Sequence, residues 1–213
     1  MGDLVQGPLP PEPEEESPAV YGPSEAEGRL WQGEILENLI QLQVNIETIE
    51  LNEEGAVEVR PVNHELVLVL SQDCDLEQDY KRRQAALLGT LPNILFCEVY
   101  RAEDLRARVQ AQDQLGRQDW KRRIAQNQND RFQYLQRVEA NQDLRHLGLP
   151  ALAIDFKIYF TVPSDELYFR LRHGILRRSR LNSPYIEHLA YRFYKFQSRI
   201  ALPRDHAIDA IPE

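Results

Sequence analysis

The chain is poor in the residues that carry several common kinds of chemistry. It has two cysteines and one methionine in 213 residues, too few thiols for a disulfide-stapled secreted scaffold. No apolar run approaches the roughly 18 residues of a bilayer-spanning helix, so no membrane contact is expected. Residues 1–28 hold seven acids and no Lys or Arg, the reverse of a secretory leader. No CxxC pair, HxxxH or HExxH spacing occurs. The two cysteines stand 23 residues apart. What is present is a globular composition, 42% hydrophobic and 28% charged with a net charge of −9. A cytoplasmic location is expected.

The charge is unevenly spread. Residues 1–28 contribute −7 and carry six prolines. Such a stretch has too little apolar surface to offset the cost of ordering, and is read as a disordered acidic leader. Residues 29–213 are read as a single globular domain. The region 170–204 is basic and interleaved with aromatics. Its Arg172, Arg177, Arg178, Arg180, Arg192, Lys195 and Arg199 are the candidate contacts for nucleic acid or for a protein partner.

Hydrophobic patterning places the elements. Residues 31–51 are apolar and alternate in part; strands after about Ile35 are favoured, with a helix at 33–43 as the rival reading. Residues 66–70, LVLVL, are a short continuous apolar run, expected as a central strand buried on both faces. Asp75 with Gln78 gives a capping-box spacing for a following helix. Residues 93–100 and 151–162 read as further strands. In the second of these, Ile154, Phe156, Ile158 and Phe160 share one face, with Asp155, Lys157 and Tyr159 on the other. Residues 103–146, rich in glutamine, read as a helical excursion. Ser183 and Pro184 suit a helix start. Ile186, Leu189, Phe193, Phe196 and Ile200 then give an amphipathic helix over 184–201, expected to pack across the sheet. The fold class is mainly β with helical additions (α+β), built as a small barrel core from 31–100 and 151–162.

The sharpest local feature is SQDCDL, residues 71–76, where the central strand hands over to a helix. Three readings compete. Cys74, Cys97, His64 and Asp73 are candidate ligands for zinc. Cys74 near a helix start is a candidate nucleophile, with Asp73 and Asp75 beside it and with His64, His146, His173 and His188 all candidates for its base, none of them singled out. The flanking acids oppose thiolate formation there. In the third reading Cys74 is a small buried residue and the acids cap the helix. No cofactor is expected under that reading.

The order of strands from Gly33-Glu34-Ile35-Leu36 through the serine-terminated strand 66–71 to the cysteine-bearing strand 94–100 resembles the SH3-like barrel of PemK/MazF-type toxins, which are bacterial endoribonucleases. The resemblance covers residues 32–100. It implies an RNA-binding barrel. The family's arginine ahead of its hydrophobic strand is matched here by Glu65, beside His64, and its proline by Leu66. No threonine stands at 98–100, so the resemblance does not carry RNA cleavage with it. The SQDCDL segment and the SPYIEHLAYRF segment, residues 183–193, also resemble bacterial proteins with no assigned activity. The expectation is a non-enzymatic protein-interaction or regulatory module with a protein partner. The alternatives are a nucleic-acid-binding barrel and a metal- or thiol-dependent site at Cys74. A homodimer is a further candidate assembly.

Overall fold

The computed structural model describes residues 18–45, 58–112 and 116–198. Seven strands form one antiparallel sheet: β1 (Tyr21–Pro23), β2 (Glu34–Val44), β3 (Val59–Val69), β4 (Asn93–Arg101), β5 (Phe132–Leu135), β6 (Leu152–Pro163) and β7 (Leu176–Leu181). Their order is β1-β7-β2-β3-β4-β6-β5. The helices are α1 (Asp73–Gln84), α2 (Ala102–Gln112), α3 (Ser164–Leu171) and α4 (Tyr185–Gln197). The α+β class stands, but the expected closed barrel does not. β1 and β5 end the sheet without pairing to one another. No helix among the described residues is long and apolar enough to cross a membrane.

The LVLVL run is the centre of the sheet, in the fourth strand of seven. Leu66 and Leu68 enter one core layer, under Leu189 and Phe193 of α4. Val67 and Val69 enter the opposite layer with Leu76 of α1 and Leu167 of α3. Both faces of β3 are therefore covered, which is why its inner half reads as unbroken apolar sequence. Each such side chain contributes about 1.5–3 kcal/mol by leaving water. A smaller cluster lies under α2, where Leu105 and Val109 meet Trp120, Ile124 and Phe132.

Several expectations are corrected. Tyr21 is buried and β1 pairs with β7, so the ordered chain begins before residue 29. Residues 1–17 of the leader lie outside the described residues. The excursion 103–146 is not wholly helical. After α2 come a short helix, Arg117–Asp119, and a π-helical turn, Trp120–Ile124, and the chain then re-enters the sheet as β5. The FQYL of β5 has aromatic strand-forming residues that the glutamine count obscures. Along β6 the alternation slips. Ile154 and Phe156 belong to the α4-side layer, whereas Phe160 packs against the other. The register explains it: Cys97 faces Tyr159 but Val99 faces Ile154, so two steps of β4 span five of β6. Asp155, expected to share a face with Lys157 and Tyr159, is buried against Arg131 at 2.6 Å.

Helix starts differ as well. α1 begins at Asp73 after Gln72, with no side-chain cap, so Asp75 is not its cap. Pro184 flanks α4 rather than forming its first turn, after a cis Ser183–Pro184 bond. The amphipathic stripe holds: Leu189 and Phe193 are buried and Ile186 and Phe196 pack beside them. Ile200 lies outside the described residues.

Candidate interaction site

The residues singled out at SQDCDL do not converge. Cys74 is exposed on α1, its Sγ 3.9 Å from Gln72 Oε1 and 3.8 Å from Asp75 Oδ1. This corrects the expectation of a small buried cysteine. Asp73 pairs with Arg29 at 2.8 Å and accepts from the Gln32 amide, and it fixes the loop before β2. Ser71 Oγ accepts from the Leu95 amide at 2.9 Å and ties the turn to β4. Cys97 is buried in β4. Its thiol is pushed far up by burial, with the Asp155 and Glu98 carboxylates adding to it. His64 is buried in β3. Among the described residues no three His, Cys, Asp or Glu side chains are grouped to hold a metal. Cys74, Cys97, His64 and Asp73 are thus not brought to one point.

The basic region is largely turned inward. Arg177 holds Glu34 at 2.5 and 2.8 Å and donates to the Arg29 carbonyl. Arg178 joins Asp143, at 2.8 and 2.7 Å, to Glu37. Arg192 donates to the carbonyls of Asn127, Asn129 and Phe132. Arg180 lies over Trp31, and Lys195 pairs with Asp130 at 3.0 Å. Arg172 is exposed beside a cleft of about 910 Å³ between α1 and α3. Arg199 lies outside the described residues. Arg177, Arg178 and Arg192 bind carboxylates and carbonyls of the same chain and do not join an open basic face. In the cleft Arg83 is held by Asp79 and Asp165, and the Tyr168 phenol is pushed up to about 12, chiefly by burial.

A different feature emerges at the outer half of β2 and β3. β2 leaves β7 after Glu37, and β3 meets β4 only from Leu66 inward. Residues 38–44 and 59–65 therefore run on as a two-stranded ribbon, a form that is marginal alone in water. Its inner side is anchored. Gln41 Nε2 donates to the Thr161 carbonyl at 3.4 Å, and its Oε1 accepts from Gln43 Nε2 at 3.0 Å. His64 stacks on Phe160 with ring centres 4.1 Å apart. Its ring nitrogens lie 3.2 Å from Gln41 Oε1 and 3.4 Å from Glu98 Oε1. The Glu98 carboxyl is held below the usual range, first by its hydrogen bond to His64 and then, against burial, by Tyr100.

The outer side is bare. Ile40, Leu42, Val44 and Val59 are each 37–50% exposed. Cross-strand partners on this face are Leu42 with Pro61 and Val44 with Val59. The ladder also fixes the backbone. Asn45 donates to Glu58 at 2.8 Å, which makes the odd positions of outer β2 the ones bonded to β3. The amides and carbonyls of Ile40, Leu42 and Val44 then point to the free side, away from β3. By the same alternation Pro61 sits on the outward edge of β3, where a missing N–H blunts it.

The two strands that end the sheet order are short or capped. β1 is three residues ending in Pro23. β5 is sealed by Asn127, whose side-chain amide bonds both the N–H (2.6 Å) and carbonyl (3.0 Å) of Tyr134. Arg192 caps the Phe132 carbonyl of the same strand. Against this, residues 38–45 carry no charge, proline or glycine, the usual means of discouraging strand addition. The signal was present in NLIQLQV, where apolar and amide side chains alternate. The arginine-rich region and the cysteine drew attention away from it. Comparison with protein-family models, with characterised proteins and with solved structures found no match, and nothing there bears on the resemblance to PemK/MazF-type toxins.

Proposed function

We propose that this chain is a non-enzymatic protein-interaction module whose contact surface is the outer β2–β3 ribbon. The observation that carries the reading is the unguarded edge of β2. It combines free backbone donors and acceptors with an apolar stripe, on a strand whose other face is pinned to β6. This is the arrangement used when an extended segment adds to a sheet: main-chain hydrogen bonds supply affinity and alternate side chains supply specificity. The anchoring by Gln41 and His64 keeps the edge straight before a partner arrives, which lowers the ordering cost of binding. The lone ribbon is also the element with most to gain from a third strand.

Arg177, Arg178 and Arg192 are turned inward and lost to the nucleic-acid reading, and the dispersed cysteines and His64 leave the metal reading without a cluster. The test is site-specific photo-cross-linking in cells. A photoreactive residue is placed at Leu42 or, as a control, at Lys157, an exposed position on β6. Protein adducts from position 42 and none from 157 are expected. Equal yields at both positions, or none at 42, would contradict the proposal.

A further inference from the structure

We infer that the cavity at the unclosed seam of the sheet is a binding site for an uncharged nucleoside, seated by the buried carboxamide of Gln133. The site is separate from the β2–β3 ribbon and does not depend on it.

The seam follows from the strand order. β1 and β5 end the sheet without pairing to one another. The sheet nevertheless curls far enough that Tyr21 Oη of β1 donates to the Gln136 carbonyl, just after β5, at 3.0 Å. The curl nearly completes a barrel and leaves a gap in its wall. This gap is a cavity of about 380 Å³, within the range of small-molecule sites. Leu135 of β5 and Leu181 of β7 are buried parts of its lining, and Val20 comes from the chain entering β1. α4 closes one side with Tyr185 and His188. The loop after the π-helical turn closes another with Gln126 and Asn127. Such π-helical turns recur at functional sites.

The feature that points to a ligand is Gln133. It lines this cavity and is only 4% exposed. Its Nε2 donates to the Tyr134 carbonyl at 3.1 Å, but its Oε1 has no partner. An amide oxygen buried without a donor costs stability, and an apolar side chain of the same length would avoid that cost. The Tyr134 carbonyl has a second donor, Asn127 Nδ2 at 3.0 Å, and does not depend on Gln133. The fold therefore gains little from a glutamine at this position. A ligand N–H would complete the bonding of its oxygen.

The rest of the lining sets the class. Among the described residues no Lys, Arg, Asp or Glu lines the cavity. Burial first, and the Arg192 guanidinium second, hold His188 below its ordinary value, so its ring is uncharged at neutral pH. A ligand with a full charge would find no counter-charge. Carboxamides occupy the polar positions, with Gln126 and Gln136 at the exposed rim. A carboxamide matches the adjacent donor and acceptor on the edge of a base. The rings of Tyr185 and His188 supply flat faces on which a base stacks. A sugar alone lacks the flat face, and the phosphate of a nucleotide would meet no cation.

The experiment is an NMR titration of the full chain with adenosine, guanosine, cytidine and uridine, each taken into the millimolar range. At least one nucleoside should give saturable shifts centred on the Gln133 side-chain amide and on the backbone amides of Gln126, Asn127 and Tyr185. Ribose alone should give none, and the matching nucleoside monophosphate should bind no tighter than the nucleoside. Gln133→Met should fold with unchanged or higher stability and bind the nucleoside about tenfold more weakly, the loss of one hydrogen bond. Saturable shifts from none of the four nucleosides would overturn the inference. So would shifts centred elsewhere, an affinity unaltered in Gln133→Met, ribose that binds as well as the nucleoside, or a monophosphate that binds clearly tighter. A Gln133→Met chain less stable than wild type would show that the oxygen has a donor within the fold, with Arg192 Nε the unpartnered candidate, and would overturn it as well.

Discussion

At the scale of single residues, Arg177, Arg178 and Arg192 are structural. Arg177 and Glu34 are both buried, with the Ser24 hydroxyl on the same carboxylate. A buried pair adds little over an apolar replacement, but breaking it leaves a charge unpaired inside the protein. Glu34→Ala is expected to cost about 3–5 kcal/mol, read as a lowered denaturant midpoint. A loss within experimental error would mean that Arg177 reaches water. Asp143 gives a pH signature. Burial pushes its carboxyl up, but the Arg178 guanidinium and the amides of Arg145 and Leu147 outweigh this and hold it below its ordinary value. The folded state thus binds this proton less readily than the unfolded state. The stabilisation is present above the ordinary carboxylate pKa of about 4 and is lost as pH falls through the lower folded value. The gap in stability between wild type and Asp143→Asn should be wide at neutral pH and narrow below pH about 4. A gap that is constant with pH would contradict it.

At the scale of elements, legibility followed the physical signal. The inner half of β3 was readable because burial on both faces leaves an unbroken apolar run, and α4 because its stripe repeats at helical spacing. β5 was not, because its four residues lie within a glutamine-rich stretch and its pairing with β6 is long-range. The slip along β6 was invisible for a related reason. Strict alternation predicts one face, and only the partner strand fixes where a register shift falls. The arginines were misleading because sequence reports their charge but not the carboxylates from distant segments that neutralise it: Glu34 lies 143 residues from Arg177. The ribbon makes its own prediction at this scale. Leu42 is about half exposed, so Leu42→Lys should change the stability of the dilute protein by no more than about 0.5 kcal/mol. A loss of several times that in thermal or chemical unfolding would show that the stripe is covered by the same chain.

At the scale of the whole molecule, the two strands that end the sheet order are protected, and the outer half of β2 is not. Short length and proline close β1, side-chain caps close β5, and Pro61 blunts β3. The uncharged outer half of β2 carries no such device, and the function proposed here follows from it. The resemblance to a toxin-type barrel rested on local strand order. Strand order carries no information on where pairing stops, so it says nothing of the ribbon that runs on past β7 and β4. The central claim is that this edge is open, and the exchange rate of the Leu42 amide relative to that of Gln41 in dilute protein tests it most directly. The account predicts that Leu42 exchanges much faster than its neighbour, because Gln41 is bonded to β3 and Leu42 faces solvent. Equal protection of the two amides in a monomer would contradict it.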